Sequence, residues 1–278
     1  MLPILYTLNV LCTAGQSALG KQYAKRSGEA LPFNINKAAI GTVLFLVFGC
    51  ISGFSLHFET MLFGLFYGIS LCISMHTGFK ALSIGPMALT SMLASFSLII
   101  PFLCGIILWN EQLTFLKCIA ILLLLLSIFL INGKKETGFS AQWLFYAFAT
   151  LLANGICSVI QKLHQVQFPT LYRTEFMFWA LLCVSGILLV RHTAKRQQRV
   201  TFRFSFLGMA AGIANCCANY IVLYLSATEN ASVLFPIIAV ANIIVVWAMG
   251  ILFFKEKLRF LQTIGLLVGV ISVVLLKI

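Results

Sequence analysis

GIILWNEQLTFLKCIAILLLLLSIFL (105–130) and GILFFKEKLRFLQTIGLLVGVISVVL (250–275) lie on one another without a gap when the chain is shifted by 145 residues. Most of the ten identities are Leu, Ile or Phe, which match by chance in apolar helices. The pairs Gly105/Gly250, Glu111/Glu256 and Ser127/Ser272 carry the signal. The same shift brings Asn9 onto Asn154, Cys12 onto Cys157 and Gln16 onto Gln161. A shift of 144 brings Gly64 onto Gly208, Gly68 onto Gly212 and Cys72 onto Cys216. Self-similarity spread over half a chain points to internal duplication.

The duplicated unit is built for lipid. Of 278 residues 61% are hydrophobic and 9% charged, with a mean hydropathy of +1.02. A soluble domain carries roughly a quarter charged residues and needs them on its surface. An ordinary soluble enzyme and a disordered chain are both excluded. A spanning helix takes about 20 mostly apolar residues. Ten such stretches can be read: 1–20, 38–56, 60–79, 81–110, 112–133, 137–161, 176–190, 204–228, 230–254 and 260–276. None alternates in polarity like a strand of an outer-membrane barrel. The first stretch lacks a basic leader and reads as a retained helix. The expected fold is an all-α membrane protein with ten transmembrane helices, a first five-helix repeat over 1–133 and a second over 137–278. Five is odd, so the second copy enters the membrane from the opposite side. Inverted repeats of this kind point to a transporter with its site near the midplane between the copies.

The net charge of +12 is scattered over short loops and reads as a topology signal, so no nucleic-acid partner is expected. Fifteen of the 19 basic residues, with Lys21, Lys25, Arg26 and Lys37 assigned to the first loop, fall on one side of the ten-span scheme. The positive-inside rule then places both termini outside a multi-pass protein of the inner or plasma membrane. The nine cysteines all fall in apolar stretches without CxxC spacing and read as small packing residues.

Two segments, GFKALSIGPMALTSMLASFSLIIPFLCGIILWNEQLT (78–114) and YLSATENASVLFPIIAVANIIVVWAMGILFFKEKLR (224–259), share a further pattern. Each has a helix end, a small polar linker, a long helix, then Glu-x-Leu opening the last helix. In this the chain resembles the EamA-type, ten-helix members of the drug/metabolite transporter superfamily. Gly265 follows Glu256 as that pattern asks, while Ala120 stands at the corresponding place in the first copy. The resemblance implies secondary transport, with amino acids and related metabolites as the leading cargo.

Candidate site residues follow from polar groups within apolar helices, which must face the bundle interior. Asn9, Thr13 and Gln16 fall on one helix face at i, i+4 and i+7, and Asn154, Ser158 and Gln161 repeat the spacing. They are either two halves of a substrate site or interhelical hydrogen-bonding groups, since both uses require the same residue types. Ser74, Asn215, Asn219, Tyr220 and Asn242 extend the set, and mid-helix Trp179 and Trp247 could stack on cargo or only pack. His76 is a candidate for proton coupling or a structural histidine. Trp109 and Trp143, near helix ends, suit an interfacial belt. All seven acidic residues are Glu near helix ends, so a neutral or zwitterionic cargo is expected. No P-loop, metal cluster, nucleophilic triad or carboxylate pair is present, so neither catalysis nor a cofactor is expected. The expected function is alternating-access movement, in the export direction, of a small amino acid-like metabolite or drug-like compound. Alternatives are uptake of a quaternary ammonium compound by an aromatic cage, and a membrane scaffold or lipid-handling protein. Monomer and homodimer remain open.

Overall fold

The computed structural model describes residues 2–27, 29–101, 103–104, 114–132, 140–169, 171–194, 205–228, 231–255 and 260–275. Among these the chain is all-helical. In order come α1 (Leu2–Ser27), α2 (Ala30–Ser52), α3 (Phe58–Ile84), α4 (Met87–Ser95, continued by a 3-10 turn over Phe96–Leu98), α5 (Phe115–Asn132), α6 (Ala141–Gln167), α7 (Arg173–Ala194), α8 (Phe206–Thr228), α9 (Ala231–Phe254) and α10 (Phe260–Leu275).

Helix ends follow local chemistry. Gly53, at φ +86°, stops α2 in the left-handed conformation that glycine takes without strain. Pro86 sits in extended backbone after Gly85 and separates α3 from α4, because proline disfavours helix at the residue before it. The Ser140 hydroxyl accepts the Trp143 N–H and caps the start of α6.

Five helices, α2, α3, α6, α7 and the first twenty residues of α8, are long and apolar enough to cross a membrane. Large apolar side chains face outward on several of them and on their neighbours. Ile51, Phe66, Phe145 and Val190 are each more than 60% exposed. Water would penalise so much open apolar surface, whereas lipid would not. The chain is therefore a membrane-embedded α-helical protein.

The helices pack in a reciprocal way. α3 lies along α6 and α7, and α8 lies along α1 and α2. α2 meets α7, α5 meets α10, and α4 meets α9. Two close crossings rest on the glycine pairs. A Cβ on Gly68 of α3 would lie 2.5 Å from the Ala180 carbonyl oxygen of α7. A Cβ on Gly212 of α8 would lie 2.7 Å from the Lys37 carbonyl oxygen of α2. Only a missing side chain permits such approach. The α5–α10 seam carries two crossed bonds: Ser127 donates to the Gly265 carbonyl (2.6 Å) and Ser272 to the Ala120 carbonyl (2.7 Å).

Two expectations are corrected. α2 begins at Ala30, eight residues before the stretch read from the sequence, so Lys37 lies within a helix and not in the first loop. Lys21, Lys25 and Arg26, assigned to the same loop, likewise fall within α1. Trp143 is no belt residue. It is fully buried, its indole N–H donates to the Thr90 hydroxyl (3.0 Å), and Gly85 leaves room for the ring. Trp109, Glu111 and Glu256, with the linker between the two repeats at 134–136, lie outside the described residues.

Candidate functional site

A polar cavity of about 190 Å³ opens inside the bundle. α1 brings Gln16 and Ser17 to its wall, and α2 brings Phe33, Asn34 and Lys37. α3 contributes Ser74, Gly78 and Phe79, α4 Thr90 and Ser91, α6 Thr150 and Asn154, and α8 Asn215. Both halves of the chain thus supply amides to one space. Two further depressions differ in kind. One lies between α1 and α9 and one between α2 and α8, and their walls are almost wholly apolar side chains.

Several wall groups are held by bonds to neighbouring helices. Asn34 donates to the Met75 carbonyl (3.2 Å), which ties α2 to α3. The Ser74 hydroxyl donates to Asn154 Oδ1, and the Thr150 hydroxyl to that of Thr77 (2.8 Å), both between α3 and α6. Gln16 Oε1 is buried with no hydrogen-bond partner among the described residues. A buried carbonyl oxygen left in that condition costs free energy until a donor reaches it.

Lys37 was not among the candidates from sequence and is the most consequential residue of the wall. It sits about 10 Å along α2, seven residues past Ala30 at about 1.5 Å per residue. Among the described residues the wall contains no carboxylate. The three Glu within the described residues are placed elsewhere. Glu29 is exposed ahead of α2, Glu59 accepts from Gln167 Nε2 (2.6 Å), and Glu175 accepts from the Ser55 N–H (3.2 Å) and hydroxyl (3.3 Å).

Of the residues singled out in sequence, Gln16, Ser74, Asn154 and Asn215 line the cavity. The others do not. Asn9 is fully buried and donates to the Ala218 carbonyl (2.8 Å), clamping α1 on α8. Thr13 lies 3.0 Å from Asn242 Oδ1, and Asn242 Nδ2 reaches the Ser95 hydroxyl at 3.4 Å, so this pair joins α1, α9 and α4. Ser158 bonds back to the Asn154 carbonyl of its own helix (3.0 Å). Asn219 donates to the Asn215 carbonyl and accepts from the Tyr67 hydroxyl (3.4 Å). Gln161 is buried away from the cavity wall.

The aromatic candidates pack elsewhere too. Tyr220 is 48% exposed and stacks on Phe48 at the outer surface. Trp179 lies in the α3–α7 crossing against Gly64, and Trp247 packs on the cluster around Leu93 and Phe96. His76 is half-buried on α3, outside the cavity wall.

His164 was missed as well. It is fully buried at the end of α6 and stacks on Phe176 (4.5 Å between centroids, 24° between planes). Its Nε2 lies 3.4 Å from the Thr60 hydroxyl. The apolar stretch read from the sequence ends at 161, three residues short of it.

No family model matches the chain, and no curated protein matches it. A solved crystal structure is similar over 98% of this chain and 94% of its own length, with a TM-score of 0.68 and 13% sequence identity. At that identity the likeness establishes a shared fold alone.

Proposed function

We propose that the chain is a secondary transporter that moves a small polar organic metabolite through the central cavity by alternating access. The single observation that carries this reading is the cavity itself. A polar space inside a bundle whose outer face is apolar needs a polar occupant, because unsatisfied amides are costly there. Helices from both halves of the chain build its wall.

The reciprocal packing supports the two-repeat, ten-span reading. A shift of 145 carries Ser127 onto Ser272 and Ala120 onto Gly265, so it exchanges the two crossed bonds of the α5–α10 seam. The contacts of α3 with α6 and α7 likewise exchange with those of α8 with α1 and α2. A two-fold relation between repeats of odd helix number is what rocking around a fixed site requires. The fold and the polar linker patterns together favour a transporter of the EamA type in an inner or plasma membrane. An aromatic cage for a permanent cation is disfavoured, because Trp179 and Trp247 stand outside the wall and Lys37 stands in it.

The test is water access. Single cysteines at positions 16, 154 and 215, on a cysteine-free background, should react with a membrane-impermeant thiol reagent. Reactivity should shift between the two sides of the membrane as the conformation changes. A cysteine at position 220 is the lipid-facing control and should stay unreactive. If the three cavity positions stay inert from both sides in folded protein, the transport reading is lost and a scaffold role takes its place.

A further inference from the structure

We infer that the cargo is a small organic monoanion whose carboxylate is received by Lys37. This inference rests on the transport reading above and names its substrate class.

The argument starts from charge. Lys37, half-buried, lines an open cavity among apolar helices. An ammonium taken out of bulk water is costly unless an opposite charge and hydrogen-bond acceptors surround it. Among the described residues the wall offers acceptors, in Gln16, Asn34, Asn154 and Asn215, but no carboxylate. All three described Glu residues are held elsewhere. Among the described residues nothing supplies the counter-charge, and the occupant brings it.

Composition of the wall narrows the occupant further. A zwitterion would bring an ammonium that finds no carboxylate there. A dianion would bring a second negative charge with no second cation in the wall. A single carboxylate leaves the filled cavity neutral, and it accepts from Lys37 by the strong kind of hydrogen bond that charge assists. The remaining amide groups and the Ser91 hydroxyl are left for a hydroxyl or carbonyl on the rest of the molecule, and Phe33 and Phe79 for its apolar part. Gln16 Oε1, buried and unpartnered, asks for a donor such as a hydroxyl. At about 190 Å³ the space falls below the roughly 300–1,000 Å³ of pockets for drug-sized ligands, so the cargo is smaller than those.

The backbone supports the same role. The close approach of Gly212 to the Lys37 carbonyl fixes the turn of α2 that carries the lysine. A charge on a rigid helix is positioned for recognition, whereas one at a loop end would be free to reach bulk water.

Purified protein in lipid nanodiscs would be tested by thermal shift against acetate, lactate, pyruvate and benzoate, each beside its neutral amide. At least one carboxylate should raise Tm in a saturable way while its amide does not, since a ligand of the folded state stabilises it. Lys37→Gln should weaken that binding by about tenfold or more, the scale of one lost charge-assisted bond. Lys37→Arg should keep the preference for carboxylate over amide. Asn34→Asp, which supplies a counter-charge one turn away, should abolish it with the lysine intact, and so serves if Lys37→Gln does not fold. Carboxylates acting no better than their amides would overturn the inference, as would Lys37→Gln or Asn34→Asp binding them like the parent protein. The transport reading fails separately. Reactive cavity cysteines with no carboxylate preference would leave transport standing and remove the anion. Inert cysteines with Lys37-dependent carboxylate binding would leave an anion site without transport.

Discussion

Two helix crossings in this molecule share one backbone design and differ in what it carries. In one, Gly208 and Gly212 of α8 press on Phe33, Asn36, Lys37 and Ile40 of α2. In the other, Gly64 and Gly68 of α3 press on Phe176, Trp179, Ala180 and Cys183 of α7. Subtracting 143 from the second set gives the first. Lys37 thus corresponds to Ala180, and Asn34 to Met177. The α2 crossing borders the polar cavity, whereas Met177 and Ala180 are fully buried in an apolar cluster with Tyr67 and Leu181. Glycine spacing sets how close the helices come. The residues between the contact points decide whether the seam is filled by side chains or left open with polar walls.

The strongest way to break this comparison is to exchange the two occupants. Ala180→Lys should cost on the order of 3 kcal/mol, because the ammonium has neither cavity nor water there. Lys37→Met removes a charge that no wall carboxylate balances, so the folded state should keep its stability or gain about 1 kcal/mol. Unfolding measured in the same bilayer for both variants gives the check. Equal destabilisation by the two would mean that Lys37 is held as tightly as a core residue, and the seams would not differ in kind.

A sharper use of the pair tests what the crossings share. Gly68→Ala and Gly212→Ala each place a methyl against a backbone carbonyl, which cannot move aside as a flexible side chain can. Each should cost about 1–3 kcal/mol, with the two values close to one another. A large loss at Gly68 beside none at Gly212 would show that the cavity side yields, and that α2 and α8 can separate there.

The glycine spacings were legible in sequence because close packing needs small residues at fixed intervals, whatever lies opposite. The same holds for Gln16 and Asn154, where an amide within an apolar run can only face inward. Lys37 was not legible. A span read as an uncharged window ends at its first charge, so a lysine belonging to a helix is assigned to a loop by the method itself. Within LPFNINK, Pro32 stands in the first turn of α2, where its missing N–H costs no helical bond. Trp143 was misjudged, and His164 passed over, for a related reason. Their sequence neighbours are polar, but Thr90, Gly85 and Phe176, which surround them, come from distant parts of the chain. The amide pair Asn9 and Asn154 looks equivalent in sequence and is not in space. Asn154 meets the Ser74 side chain and reaches the cavity, while Asn9 meets the backbone of Ala218, the residue related to Ser74 by a shift of 144.

The smallest effect belongs to the seam where the two halves do agree. Ser127 and Ser272 make mirror bonds across α5 and α10, and both side chains are fully buried. Hydrogen bonds between helices in lipid contribute about 0.6 kcal/mol each on average, since the separated helices also find partners. Ser127→Ala and Ser272→Ala should therefore each lower stability by about that amount. Because the two bonds share no atoms and lie at different levels of the seam, the double variant should lose about the sum. Neither should alter carboxylate binding, for both stand outside the cavity wall. If one serine mattered several times more than the other, the α5–α10 contact would be as asymmetric as the glycine crossings. The chemical difference between the halves would then extend beyond the cavity into the scaffold that frames it.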